Sequence, residues 1–391
     1  MHGNLQHLAA IQRIADQVRA AERAELANEA RVQRRDPHDA RPIVTVTGLN
    51  KAIRKDPSAF RILTGDRPTG PLHIGHLFGT LENRVRLQRL GVELLVVIPD
   101  YQTITDRDSP ASLPEDVEGL VADYLAAGID PTRAVIFTHS QVPELNQLML
   151  PFLSLVSVAE LARNPTVKEE IVASEGRGPS GLMFTYPVHQ AADILFCRAN
   201  LIPVGKDQLP HVELARTIAR RFNDRYSPDQ PFFPQPQPLL SDAPLLLGLD
   251  GRKMGKSRGN SIPIAADEDQ TAQLIRAAKT DRYRHISYDP ERRPEISNLL
   301  DIAALCQRRP AADIAEEIGD HGAATLKTIV IDTLNQRMAP IRARRAELIK
   351  DRSYLRTVLR HGNERARTIA SATLAAVHRH MHTRYIGGND G

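Results

Sequence analysis

A chain of 391 residues is long enough for two or three ordinary domains around a substantial buried core. Hydrophobic residues at 41% and charged residues at 25% have the balance of a soluble globular protein, and no stretch approaches the roughly 18 uninterrupted apolar residues of a membrane helix. Two distant cysteines, Cys197 and Cys306, exclude a disulfide framework or zinc knuckle, and a net charge of +4 fits a polyanionic partner without requiring one.

Residues 5–35 are expected to form a charged helix, since Leu5, Leu8, Ile11, Ile14 and Val18 fall near helical spacing. Arg13, Arg19 and Arg23 are interleaved there with Asp16, Glu22 and Glu25, and no apolar run follows. That pattern argues against a secretory signal or a transit peptide and makes the cytoplasm the expected compartment. The polar stretch 34–58, with Pro37, Pro42 and Pro57, reads as a linker around a short extended piece over 43–47. Residues 1–58 are thus expected to be a loosely packed appendage or, alternatively, an arm that touches a partner.

From Phe60 the pattern alternates. Strands are expected over 62–65, 92–99, 134–138 and 201–204, and helices over 74–90, 114–127, 143–162 and from 204 through 221. This predicts a Rossmann-like α/β domain over 59–267, an open parallel sheet covered by helices, with ligands beyond the carboxyl ends of the strands. After Asp267 only helices are expected, over 271–279, 296–307, 311–318, 323–350 and 354–380. A helical domain over 268–385 and a short tail over 386–391 complete the reading.

The first chemical constellation is Thr64-Gly65-Asp66-Arg67-Pro68-Thr69-Gly70-Pro71-Leu72-His73-Ile74-Gly75-His76, a glycine-bearing loop from a strand into a helix. Such a loop brings backbone close to a phosphate, and the helix start adds unpaired N–H groups and a positive dipole end. His73 and His76, three apart, share one face and can donate to an α-phosphate or to departing pyrophosphate, with Gly75 leaving room for a flat base or ribose. The plain alternative is a pair of incidental surface histidines. The second constellation is Lys253-Met254-Gly255-Lys256-Ser257, flanked by Asp250-Gly251 and Gly259-Asn260. Two lysines on a glycine-flanked loop can swing onto a triphosphate and neutralise charge developing on pyrophosphate; a basic turn is the plain alternative.

Together these segments resemble the HIGH and KMSKS signatures of class I aminoacyl-tRNA synthetases. His73-Ile74-Gly75-His76 matches the first in full, and the second departs once, with Gly255 where the family has Ser. A third region, Thr185-Tyr186-Pro187-Val188-His189-Gln190-Ala191-Ala192-Asp193-Ile194-Leu195, then Ile202-Pro203-Val204-Gly205-Lys206-Asp207-Gln208 and His211-Val212-Glu213-Leu214, resembles the tryptophanyl branch of that family. Ile296-Ser297-Asn298-Leu299-Leu300 resembles a further stretch of it, with Glu295 replacing a glycine, and the likeness runs from about 62 to 381.

The resemblance implies a HUP-type catalytic domain, ATP as substrate with Mg²⁺ held mainly by phosphates and water, and L-tryptophan and tRNA(Trp) as partners of a homodimer. It implies catalytic roles for His73, His76, Lys253 and Lys256. ATP contacts would come from Arg67, Pro68, Thr69, Gly75, His76, Gly205, Lys206 and Asp207, and from Lys253, Met254, Gly255, Lys256 and Ser257. The amino-acid pocket would be Asp193, Gln190, Gln208, Leu63, Gln102, Ile202 and Val204. Asp193 is assigned to the indole N–H, which physics supports, because indole is a donor only and needs a buried acceptor. No metal held by protein ligands is expected.

Several positions depart: Gln190 stands where Met is usual, Gln102 where His is common, Leu63 where Phe is frequent, and Arg67 where Gln is usual. A tyrosyl-type enzyme, a nucleotidyltransferase and a non-catalytic paralogue therefore stay open as alternatives. In the helical region, Arg337, Arg342, Arg344, Arg345, Lys350, Arg352, Arg356, Arg360, Arg365 and Arg367 suggest a basic face for RNA backbone, and the resemblance implies anticodon recognition there.

Overall fold

The computed structural model describes residues 44–105, 112–168, 180–240 and 245–384. The helix expected over 5–35 and the tail over 386–391 lie outside them. The elements are β1 (Val44–Thr45), α1 (Val46–Lys55), β2 (Arg61–Gly65), α2 (74–89), β3 (Glu93–Ile98), α3 (Leu113–Ala127), β4 (Ala134–Thr138), α4 (Glu144–Leu153), α5 (Val158–Arg163), α6 (Gly181–Phe196), β5 (Leu201–Pro203), α7 (Leu209–Tyr226) and β6 (Gln237–Leu240). After them come α8 (Glu268–Ala277), α9 (Pro294–Gln307), α10 (Ala311–Ile318), α11 (Gly322–Lys350) and α12 (Arg352–His380).

The strands form a six-stranded sheet in the order β1-β6-β5-β2-β3-β4, with every pairing parallel. Alternation along the strands feeds two cores. Ile62, Leu94, Val96, Ile98 and Ile136 enter one, while Leu63, Leu95, Val97, Val135 and Phe137 enter the other. Both faces are covered, which is why β3 reads Glu-Leu-Leu-Val-Val-Ile without polar alternation. The chain leaves β2 for β3 on one side and later returns to β5 on the other. The carboxyl ends of β2 and β5 therefore flank the crevice where such sheets bind ligands.

Two elements differ from expectation. The linker expected over 34–58 contains helix α1, whose Ile53 is fully buried and whose Leu49 packs on the same core. Pro42 and Pro57 bracket that helix and do not interrupt it, and Asp56 caps the turn after it by accepting from the Ser58 amide. Strand β6, which contains Pro238, is not among the expected strands, yet it pairs on both sides, with β1 and β5.

The C-terminal helices are built onto the sheet. β4 is an edge strand, and α12 lies against it so closely that a Cβ at Gly362 would stand 1.7 Å from the Ile136 carbonyl oxygen. Asn363 accepts from the Thr138 amide at 3.0 Å and Arg365 donates to the Ala134 carbonyl at 3.2 Å, so the open edge is satisfied by a helix. Several arginines of the basic face expected to meet RNA also pair with groups of this chain, although most of that face, Arg352, Arg356 and Arg367 included, stays exposed. Arg345 pairs with Asp123, Arg352 and Arg356 with Glu118, Arg367 with Glu144 and Arg337 with Glu82, while Arg342 donates to Thr271 and Asn335. Among the described residues no helix is long and apolar enough to cross a membrane. Cys197 and Cys306 are both free thiols, as expected, and burial pushes each up to about 12.

Candidate active site

A cleft of about 950 Å³ opens at the carboxyl ends of β2, β3 and β5. Its first wall is the loop after β2. Asp66 accepts from Arg84 at 2.6 Å and from the Tyr124 hydroxyl at 2.9 Å; both donors are buried, and the carboxylate is nearly so at the cleft wall. Burial alone would raise the Asp66 carboxyl, but the Arg84 guanidinium holds it well below the usual carboxylate range. The far end of the loop is fixed by Asp123, which accepts from the Leu72 amide at 2.9 Å and is itself paired with Arg345. Just beyond the second anchor α2 begins. It starts as Ile74–His76, widens into a π turn over Leu77–Leu81 and finishes as Glu82–Arg89.

His73 and His76 do share a face, with ring centroids 3.8 Å apart, and both line the cleft. Burial lowers His73 to about 3 and His76 to about 4; for His73 the neighbouring His76 and Lys256 act in the same direction. At neutral pH both rings are therefore uncharged, each with one N–H to offer a ligand. The room expected over Gly75 is taken: a Cβ there would meet the His73 ring at 3.0 Å and the Met254 sulfur at 3.2 Å. Gly75 allows the ring and the thioether to pack, and no base fits in that space as it stands.

The lysine loop meets the first loop directly. Ile74 donates to the Ile262 carbonyl at 3.0 Å and Ile264 to the Leu72 carbonyl at 2.8 Å. Lys256 Nζ donates to the Arg67 and Gly70 carbonyls at 3.1 and 2.9 Å. Burial lowers its pKa, while Asp66 and Asp123 oppose that shift. Lys253 is placed differently: it pairs with Asp207 at 3.3 Å, both side chains more than half exposed (61% and 56%), and it stands outside the cleft lining. Pro68 and Gly75 also stand outside it. Lys206 and Ser257 lie in the short 3-10 turns Lys206–Gln208 and Lys256–Arg258, next to the lining residues Asp207 and Lys256.

Leu63, Gln102, Gln190, Asp193, Ile202, Val204, Gly205, Asp207 and Gln208 line the same cleft, as do Arg67, Thr69, Met254 and Gly255 of the two loops. Asp193 is 2% exposed; its Oδ2 lies 2.7 Å from His139 Nε2, and its Oδ1 has no hydrogen-bond partner among the described residues. Gln190 reaches Gln208 at 3.5 Å, and behind them Tyr186 and His211 approach at 3.4 Å. Burial lowers His211 to about 4.

Several residues that build the site escaped the sequence reading. Arg84, Tyr124 and Asp123 fix the first loop, His139 holds Asp193, and Asn260 organises the lysine loop by accepting from the Gly255 amide and donating to Asp250. Asn298, in the stretch recognised only by resemblance, exchanges two hydrogen bonds with the Leu247 backbone at the stem of that loop. Of these only Asn260, beside Gly259, stands in a glycine-flanked turn; Arg84, Asp123, Tyr124 and Asn298 lie within helices and carry no local signal.

The family model described as tRNA synthetases class I (W and Y) matches residues 55–337. Among curated relatives, a tryptophan–tRNA ligase of Streptococcus pyogenes is 42% identical over 339 residues, covering 83% of this chain and 98% of its own. One from Treponema pallidum is 42% identical over 332 residues, covering 81% and 95%. The structure is similar to that of tryptophanyl-tRNA synthetase from Campylobacter jejuni complexed with ADP and tryptophan. There the TM-score is 0.71 at 29% identity, with 83% of this chain and 100% of that one covered.

Proposed function

Because the chain belongs to the tRNA synthetases of class I (W and Y), we propose that it activates L-tryptophan with ATP, releasing pyrophosphate, and passes the aminoacyl group to tRNA(Trp). The likeness to enzymes named tryptophan–tRNA ligases favours this reading over a tyrosyl-type enzyme or a binding paralogue. The observation that carries it is one cleft lined by two uncharged imidazoles, by Lys256 and by a buried carboxylate with an unused oxygen.

The amino-acid carboxylate attacks the α-phosphorus and pyrophosphate leaves. No protein nucleophile is required, so the rate comes from positioning and charge stabilisation. His73 and His76 donate N–H bonds to the α-phosphate or to departing pyrophosphate. Lys256 exchanges the Arg67 and Gly70 carbonyls for phosphate oxygens, and Lys253 joins from the rim by releasing Asp207. Arg67 and Thr69 contact ATP or the substrate carboxylate, Asp207 with Gly205 meets the ribose, and Asp193 Oδ1 accepts the indole N–H.

The cleft carboxylates Asp66 and Asp207 are already engaged by Arg84 and Lys253. This fits Mg²⁺ that arrives with ATP and is held by phosphates and water. Contact between the C-terminal helices and the anticodon falls to exposed basic residues such as Arg344, Lys350 and Arg360. A cytoplasmic homodimer completes the proposal; exposed Leu150 and Val158, 70% and 74% accessible, are apolar side chains a subunit contact would cover.

The test is isotope exchange between pyrophosphate and ATP. Stimulation by tryptophan and not by tyrosine, with tryptophan then appearing on tRNA, is expected. Exchange driven by tyrosine, or none with tryptophan, would overturn the assignment.

A further inference from the structure

Asp193 of the cleft belongs to a buried polar cluster whose other two members, His139 and His189, the adenylation chemistry does not use. His189 and Asp193 are four apart on α6 and so project from one face, while His139 follows β4 directly. All three are buried, at 0%, 3% and 2% exposure for His139, His189 and Asp193. The two imidazole centroids are 4.5 Å apart and nearly perpendicular, and His139 Nε2 lies 2.7 Å from Asp193 Oδ2.

Hydrogen bonding leaves this cluster incomplete. His139 Nδ1, His189 Nε2 and Asp193 Oδ1 are buried with no partner among the described residues. Buried polar atoms are ordinarily paired, so three orphans in one contact cluster need an explanation. One ligating atom from each residue lies within 4.8 Å of the other two. In a tetrahedral shell with bonds of about 2.0–2.1 Å, ligand atoms stand roughly 3.3 Å apart, so small side-chain rotations would close the site. Two imidazoles and one carboxylate, with water in the fourth position, are a donor set suited to Zn²⁺.

We propose that His139, His189 and Asp193 form a binding site for a divalent transition-metal cation such as Zn²⁺. Given the reading of Asp193 as the indole acceptor, the carboxylate is shared. A cation drawing on Asp193 then competes with the amino acid, and free Zn²⁺ inhibits activation competitively against tryptophan.

The experiment titrates Co²⁺, a coloured stand-in for Zn²⁺, into the full-length protein after chelator treatment. One equivalent should bind with the visible absorption of a four-coordinate ion, and Zn²⁺ should bleach it. His189→Gln and His139→Gln should each abolish that absorption while keeping ATP binding, which checks their folding. Tryptophan at ten times its Kd should weaken apparent Co²⁺ affinity about tenfold. No stoichiometric Co²⁺ binding, or binding unchanged in both variants, would overturn the site. Binding that needs both histidines but ignores tryptophan would uphold the cation site and overturn the assignment of Asp193 to the indole nitrogen.

Discussion

The loop that presents His73 and His76 and the loop that presents Lys253 and Lys256 face the same end of the cleft but are held in different ways. The first is anchored by two buried carboxylates, Asp66 against Arg84 and Tyr124, and Asp123 against the Leu72 amide and Arg345. The second relies on two asparagines, on backbone pairing past Ile262, and on Lys256 resting against two backbone carbonyls. Imidazoles fixed before a nucleotide arrives cost no reorganisation when charge develops. An ammonium group resting on carbonyl dipoles has a stronger partner waiting in a phosphate. One loop supplies geometry and the other supplies charge that moves.

The most direct way to break this contrast is Asp66→Asn. It leaves the Arg84 guanidinium buried without its carboxylate, a change that typically costs about 3–5 kcal/mol. Urea unfolding should show a loss of that size, and a loss below about 1 kcal/mol would mean the first loop is not fixed by this pair. Lys256→Ala tests the other side. It should lower the activation rate by about 10²–10³-fold while changing the KM for ATP far less. Equal losses in both would mean that Lys256 binds ground-state ATP and stabilises no developing charge.

A third test uses pH. With folded values of about 3 and 4 against roughly 6.5 when unfolded, His73 and His76 take up protons more readily in the unfolded chain. Unfolding is therefore favoured as pH falls below about 6.5, and stability is lost progressively down to pH 4, on the order of 3 kcal/mol for each histidine. Asp66, whose folded pKa is depressed, adds its own loss only below about pH 4. Urea midpoints of the wild type and of His76→Gln, compared between pH 7 and pH 4, should converge towards the acid end. Parallel curves would mean that His76 is not held uncharged by burial.

Much of this was legible in the sequence because it is local. The strands at 62–65, 134–138 and 201–204 and the histidine pair on its helix start are written in windows of about a dozen residues, where hydrophobic period and turn chemistry act together. Strand β6 was hidden by Pro238, and α1 by the prolines on either side. The arginines of α11 and α12 show the deeper limit. A basic stripe looks the same facing solvent or facing carboxylates, and their partners Asp123, Glu118 and Glu144 lie in helices more than two hundred residues earlier in the chain. His139 and Asp193, 54 residues apart, were invisible as a pair for the same reason.

The smallest effect tests the one departure in the lysine motif. Gly255 has φ −158° and ψ 143°, extended backbone that any residue adopts, and the atoms nearest to a Cβ there are in the Arg258 side chain, from 3.6 Å outward. Gly255→Ser therefore introduces no strain, and it removes conformational freedom from the unfolded chain. Stability should change by no more than about 0.5 kcal/mol, in the stabilising direction. The loop is held through the Gly255 amide, which donates to Asn260, and through Lys256, and serine disturbs neither contact. The activation rate should accordingly stay within a few-fold of wild type. A rate change beyond tenfold with unchanged stability would show that the loop's freedom, and not the placement of its ammonium group, limits the chemistry, and the contrast between a fixed wall and a mobile charge would have to be redrawn around the glycine.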